Sequence, residues 1–455
     1  MDRHSSSDSK KLHSGTIYQA IWRWHLYAGI IFAPFILILA VTGSVYLFKP
    51  QIEQRMYQDY YVVKDEGNKL QPSQLIDTVK AAYPDYNVLR YRPGEDATRS
   101  AEVKLGLGDE KLTIFVDPYS STIIGELNDR HRLMDRIEEF HGELMLGTVG
   151  DRIVELAACW ALILVITGLY LWIPRDWKKW KGVFVPRINT SKRNLLRDLH
   201  VVPAFWISAA MVFLIITGLL WSGFWGTKVQ TLVTNSGLGY PPSIWVGSAP
   251  SSTLKTKDIA DVPWAAENLD VPLSNPSQEY TQLSINNVVN TANQLQIYPT
   301  YEVIFPKSAE GVFTLSVFPP KARDEATVHI DQYTGAVLAD YRYEHYEVLG
   351  KWMAWGITLH KGLEYGLLNQ WIGLIVCIGI AGIVITGFLL WWRRKPKTHM
   401  GAPRAQSYGS IKGIVILLII YGLLFPLVGL SLIVVALLDV LVITRSAKLR
   451  QIFNS

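Results

Sequence analysis

Five long apolar stretches constrain this chain more than anything else in it, because about 20 consecutive apolar residues are what a helix needs to cross a hydrocarbon core roughly 30 Å thick. They fall at 24–48, 153–173, 201–221, 371–392 and 414–443 of 455 residues. Backbone in lipid must satisfy its own hydrogen bonds, so runs of this kind predict an α-helical membrane protein with lipid as its first partner. The first run follows a polar start and has no small-residue cleavage site, so it reads as a retained anchor. Both cysteines, Cys159 and Cys377, lie inside apolar runs, which leaves no disulfide framework and no Cys-based zinc site. The absence of a CxxCH motif excludes covalently attached haem.

Orientation follows from the short connections. Arg175, Lys178, Lys179, Lys181, Arg187, Lys192, Arg193 and Arg197 enrich the 174–200 loop, and Arg393, Arg394, Lys395, Lys397, Arg404 and Lys412 enrich 393–413 without a single acid. By the positive-inside rule both loops and the N-terminal segment 1–23 are cytoplasmic, in a multi-pass protein of the cytoplasmic (inner) membrane. The long insertions 49–150 and 223–370 then lie outside. Tryptophans at the run ends, among them Trp22, Trp24, Trp221, Trp391 and Trp392, suit interfacial belts. Charge of this kind implies membrane orientation and no nucleic-acid partner.

The fifth run exceeds one crossing and carries Pro426 in its middle. A single helix kinked at the proline is the favoured expectation. A re-entrant hairpin is the alternative, and it would return the basic tail 444–455 to the cytoplasmic side.

Each insertion reads as a small α+β unit with the same order of elements. A helix from Ser73 precedes alternating segments at 87–91, 101–107, 111–116 and 122–127; a helix from Ser284 precedes segments at 301–305, 313–318, 327–330 and 336–341. Asp117-Pro-Tyr119 and Asp331-Gln-Tyr333 recur between the last two segments of each, and hairpin chemistry accounts for these aspartates.

The repeat extends into the spans. His25 precedes Thr42-Gly43 by 17 residues, as His200 precedes Thr217-Gly218; His141 precedes Thr167-Gly168 by 26 residues, as His360 precedes Thr386-Gly387. The chain thus reads as a tandem duplication of span, insertion and span, with the fifth run appended. Small Thr-Gly pairs at repeated depth suit close helix packing. His25 and His200 open inward-to-outward helices at equal depth and form one pair. His141 and His360 precede chain-reversing glycines, Gly147 and Gly150 in one case and Gly366 in the other, so each is expected on a short helix at the outer face, forming a second pair.

Four histidines at duplicated positions point to a ligand role. Haem suits them, because neutral imidazole donates to iron and two imidazoles cap both faces. Zinc would call for clustered ligands, and a proton relay for a chain of intramembrane acids. His131 and His345 stand near the outer pair as substitutes, while His4, His13, His329 and His399 read as solvated. Arg23 and Arg197, beside the inner histidines, suit either haem propionates or ordinary positive-inside charge. Gly106-Leu-Gly108 lacks the third glycine and following helix of a dinucleotide fingerprint.

Arg-Trp-His25-Leu, Phe-His141-Gly-Glu-Leu, Asp-Leu-His200, Leu-His360-Lys-Gly, the Thr-Gly-Leu-x-Leu-Trp endings and the Asp-Pro-Tyr and Asp-Gln-Tyr turns resemble the PepSY-associated transmembrane proteins over nearly the whole chain. The resemblance implies two extracytoplasmic PepSY-like domains and two b-type haems, with His25, His200, His141 and His360 as axial ligands to haem iron. It further implies a di-haem siderophore reductase that delivers electrons to a ferric siderophore outside; with no flavin or nicotinamide fingerprint in the chain, the electron donor is expected to be separate, a quinol or a protein. Asn369 in place of a second glycine and Lys361 beside His360 depart from the pattern. The contrasting expectation is a haem-free membrane protein whose PepSY-like domains bind or inhibit a peptidase or assist an uptake system.

Overall fold

The computed structural model describes residues 3–174, 183–239, 251–276, 281–404 and 412–454. Residues 175–182 of the first basic loop lie outside the described ones. The chain divides into a helical unit, Met1–Val45, Glu139–Thr227 and Trp371–Ser455, and a sheet unit, Tyr46–Glu138 and Lys228–Gln370.

In the helical unit, Ile17–Tyr46, Thr148–Trp172, Lys192–Leu219 and Leu367–Arg394 are long and apolar enough to cross a membrane, as is Pro426–Ile443. The helices run past the ends of the apolar stretches because backbone hydrogen bonding continues through polar residues such as those at 192–200. The second span is the most buried of the five. Its Ala157, Cys159, Trp160 and Ile163 form the centre of a core with Ala28, Phe32, Leu219, Phe425 and Val428.

The last apolar run does not form the single kinked helix favoured from sequence. It forms two arms, Lys412–Leu424 and Pro426–Leu438, the second continuing through a π turn to Ile443. Two observations make this a hairpin. An ideal Cβ on Gly422 would stand 2.8 Å from the Cα of Gly429, a proximity that seven residues of straight helix cannot give. The ends of the segment also meet: the Met400 N–H donates to the Ile452 carbonyl at 2.9 Å and Asn454 Nδ2 to the Ala402 carbonyl at 2.9 Å. The physical reason is local. Pro426 cannot continue the ladder of the first arm but is well placed in the first turn of the second. Paired glycines let the two backbones touch. The arms are held by Tyr421 Oη donating to the Cys159 carbonyl at 2.8 Å and Trp160 Nε1 donating to Ser431 Oγ at 3.1 Å.

The sheet unit is built on one antiparallel eight-stranded sheet. Its strands are β1 (Asn87–Arg92), β2 (Ala101–Leu107), β3 (Glu110–Val116), β4 (Ile123–Asn128), then β7 (Glu302–Ile304), β8 (Val312–Val317), β9 (Ala326–Asp331) and β10 (Val337–Arg342). The short pair β5 (Ser251–Lys255) and β6 (Asp270–Pro272), which the sequence reading lacked, forms a separate ribbon. The sheet order is β10-β9-β8-β7-β1-β2-β3-β4, so each insertion supplies four strands and the halves join where Arg90 opposes Ile304 and Tyr91 opposes Val303. The two expected α+β units are therefore one continuous structure, with one edge of each half removed by pairing.

Alternation places Tyr91, Val103, Leu105, Ile114, Val303, Phe313, Leu315 and Val328 on one face, where they share a core with Leu75, Val79, Val288 and Ala292 of the helices Pro72–Ala82 and Ile285–Gln294. Ser73 and Asn286 tie the two helices together through a 2.9 Å pair of hydrogen bonds. The aspartates are turn formers, as expected: Asp117 Oδ1 accepts the Tyr119 N–H at 2.8 Å, and Asp331 Oδ1 accepts those of Tyr333 at 2.9 Å and Thr334 at 2.8 Å.

Candidate functional site

Three of the four singled-out histidines lie in the helical unit, and each rests on a Thr-Gly pair of another span. His25 of the first span places Nδ1 2.9 Å from Thr167 Oγ1 of the second. His141, on the short helix Leu133–Glu143, places Nδ1 2.8 Å from Thr42 Oγ1 of the first. His200 of the third span places Nδ1 2.9 Å from the carbonyl of Ile383 in the fourth, with Thr386 Oγ1 at 3.4 Å. The first two contacts tie the first span to the second and to the short helix that precedes it.

The adjacent glycines serve the same contacts. An ideal Cβ would come within 3.3 Å of His25 Cε1 at Gly168, 3.2 Å of His141 Cε1 at Gly43 and 3.0 Å of His200 Cε1 at Gly387. Glycine lets each imidazole lie against a helix backbone, where any larger residue would push the ring away. At 42–43, 167–168 and 386–387 the packing role expected for the Thr-Gly pairs is thus the packing of histidine rings, joined by a hydrogen bond that sequence spacing did not reveal.

Hydrogen-bond direction fixes the tautomers. Thr167 Oγ1 donates its one proton to the Ile163 carbonyl at 2.6 Å, and Thr42 Oγ1 donates to that of Ile38 at 2.8 Å. Each hydroxyl oxygen can then only accept, so His25 and His141 donate from Nδ1–H. His200 faces a carbonyl and must also donate. A neutral imidazole protonated at Nδ1 carries its lone pair on Nε2, the form that binds a metal. Among the described residues no group hydrogen-bonds Nε2 of His25 or His200, and the two rings are close enough to act on one another electrostatically.

The fourth histidine, His360, belongs to the sheet unit and ends the helix Val348–His360. Gly362 (φ +75°) and Gly366 (φ +59°) turn the chain into the span Leu367–Arg394, while Asn369 Nδ2 donates to the Leu359 carbonyl at 3.1 Å. Asn369, a departure from the family pattern, thus holds the end of the His360 helix. At the matching position Gly150 allows the close approach of the Glu143 carbonyl, which a Cβ would meet at a clashing distance. Lys361, the other departure, sits with its ammonium 5.9 Å from the centre of the Phe318 ring and feels Glu138 and Glu325.

Other expected sites fall differently. His329 is fully buried, with Nδ1 3.0 Å from Thr314 Oγ1, and is not solvated. Burial pushes it down to about 3, so it is held neutral. His131 and His345 sit on exposed 3-10 turns, and His399 Nδ1 accepts the Gly401 N–H at 3.0 Å. The side chains of His4 and His13 lie outside the described ones. Arg23 donates to the carbonyls of Pro403 at 2.9 Å and Phe453 at 2.9 Å, anchoring the C-terminal segment. Arg197 pairs with Asp198 at 2.9 Å.

Two acids escaped the sequence reading. Asp198 is fully buried two residues before His200 and is clamped by Arg187 through two side-chain bonds of 2.7 and 2.9 Å. It ties the basic loop to the His200 helix, and a bidentate guanidinium is the partner such a carboxylate requires. Glu155, only 2% exposed, accepts the backbone N–H groups of Phe224 at 3.0 Å and Trp225 at 3.1 Å and so caps the helix Trp225–Asn235. The signal for both was an acid at the end of an apolar helix.

Among the described residues no three His, Cys, Asp or Glu side chains cluster as a metal-ion site. Of the four histidines, His25 and His200 are near enough to act on one another electrostatically. The PepSY-associated TM region, as a family pattern, matches residues 22–394, a stretch that includes all four histidines. The chain belongs to this family. No curated protein matches it. The region matched ends before the hairpin of this PepSY-associated protein.

Proposed function

We propose that this PepSY-associated membrane protein carries electrons between the faces of the cytoplasmic membrane on two b-type haems, reducing ferric siderophores or related iron chelates on the extracytoplasmic side. The observation that carries the reading is the preset Nδ1–H tautomer of His25 and His200, with both Nε2 atoms left, among the described residues, without a hydrogen-bond partner inside apolar helices. The residues fit the group: Thr167 and the Ile383 carbonyl orient the rings, Gly168 and Gly387 give them room, and apolar spans exclude water. Haem, when bound, supplies a one-electron Fe(III)/Fe(II) couple. His25 and His200 are the proposed ligands of one haem. His141 and His360 are the proposed ligands of the other, a pairing that rests on their equal spacing to Thr-Gly and, for His141, on its bond to Thr42. The repeated element order of the two insertions supports a tandem duplication and a PepSY-like assignment for each. A quinol or a protein is the proposed donor.

The test is reconstitution in vesicles with a chemically reduced quinol and an external ferric hydroxamate or catecholate. Haem-loaded protein should reduce the external chelate, and His360→Ala should abolish that step while leaving quinol-driven reduction of the inner haem intact. Purified, folded protein from haem-replete cells that contains no haem would instead favour a haem-free role of the sheet unit in binding a peptidase.

A further inference from the structure

The Thr-Gly pairs were set down to helix packing, yet their geometry constrains chemistry. In all four pairs the hydroxyl donates to the carbonyl four residues back, Thr42 to Ile38 at 2.8 Å, Thr167 to Ile163 at 2.6 Å, Thr217 to Phe213 at 2.7 Å and Thr386 to Gly382 at 2.6 Å. A threonine that served packing alone would meet its neighbour through its methyl group. Here Thr42 and Thr167 present an oxygen to a histidine ring nitrogen at 2.8 and 2.9 Å.

We infer that Thr167 and Thr42 are positioning residues that set the tautomer of His25 and His141 and thereby tune each ligand separately. Thr386 is the exception. Its oxygen is 3.4 Å from His200 Nδ1, whereas the Ile383 carbonyl accepts that proton at 2.9 Å. His200 is therefore held by backbone, which substitution at Thr386 leaves in place. The two ligands of the inner pair thus differ: one is set by a hydroxyl and the other by a carbonyl, the stronger acceptor. A hydrogen bond accepted from Nδ1–H raises the donor strength of Nε2, which stabilises the oxidised metal. Loss of the Thr167 bond weakens the donor and favours the reduced state.

This inference rests on the haem reading for its consequence but not for its geometry, so the experiment has two arms. The first is histidine ¹⁵N NMR of the protein prepared without haem in detergent, for wild type, T167V, T167S and T386V. In wild type His25 should show a protonated Nδ1 and a bare Nε2. T167V should lose that preference, T167S should restore it, and T386V should leave His200 unchanged. The second arm is redox titration of haem-loaded protein, in which T167V should raise the inner midpoint potential and T42V the outer one, each leaving its counterpart in place. A wild-type His25 protonated on Nε2, or a T167V spectrum identical to wild type, overturns the inference whether or not haem binds. Haem bound in T167V with an unmoved potential overturns the tuning alone. An intact tautomer pattern in a protein that takes up no haem overturns the haem reading and leaves the positioning role standing.

Discussion

At the scale of single residues, buried titratable groups make the sheet unit sensitive to pH from both sides. Burial, assisted by Glu364, pushes the Glu325 carboxyl up to about 8 against the opposing pull of Lys361 and the Tyr346 hydroxyl. In the unfolded chain that carboxyl has an ordinary value near 4.5, so between about 4.5 and 8 the folded state holds a proton that the unfolded state lacks. Stability falls as pH rises through that window. His329 acts in the opposite sense: its folded value of about 3 lies below the ordinary 6.5, so stability is lost as pH falls from 6.5 towards 3. Glu325→Gln should flatten the alkaline loss, which is on the order of a few kcal/mol, and make the protein at least as stable as wild type at pH 8. Urea unfolding followed at pH 5 and pH 8 checks this, and an equal pH dependence in the variant would contradict the assignment. The four histidines were legible because they recur at fixed spacing. His329 was misread because one strand gives no sign of whether its polar face is covered, and the pairing of His25 with Thr167 and of His141 with Thr42 lies in contacts between helices, which spacing along one chain cannot encode.

At the scale of elements, the hairpin shows where pattern reasoning runs short. Length and apolarity told that the 414–443 run enters the membrane, and Pro426 told that it bends, but the size of the bend depends on what the arms meet. Gly422 against Gly429, and Tyr421 and Ser431 against the second span, decide for reversal. Gly422→Leu should cost about 1–3 kcal/mol or more, since the new side chain meets backbone and not a yielding side chain. A thermal shift in detergent reads the cost, and an unchanged melting temperature would argue against the close approach. The reversal also places Ser446 on the same side as Met400. A cysteine introduced at Ser446 should react with an impermeant thiol reagent from the side on which a cysteine at Lys395 reacts, whereas a single crossing would put the two on opposite sides. The strands were readable from alternation. Their union into one sheet was not, because edge pairing between β1 and β7 joins segments more than 200 residues apart.

At the scale of the whole molecule, the two insertions share a sheet, and in the helical unit Leu219 of the third span shares a core with Ala28 and Phe32 of the first and Trp160 of the second, so the halves of the chain depend on each other in both units. The family region supplies the histidines and the sheet, and the hairpin packs on the second span from outside that region. Electron transfer across a membrane requires redox groups at more than one depth, and the account supplies them only if both histidine pairs hold haem. The most direct measurement is the haem count: pyridine haemochrome quantification of purified protein, for wild type and for H25A, H200A, H141A and H360A, with a low-temperature electron paramagnetic resonance spectrum of each. The account predicts two b-type haems per chain with bis-histidine low-spin signals, and one of these signals lost or altered in each variant, the same one for His25 and His200 and the other for His141 and His360. Folded wild-type protein from haem-replete cells without haem, or four variants that retain both signals, would contradict it.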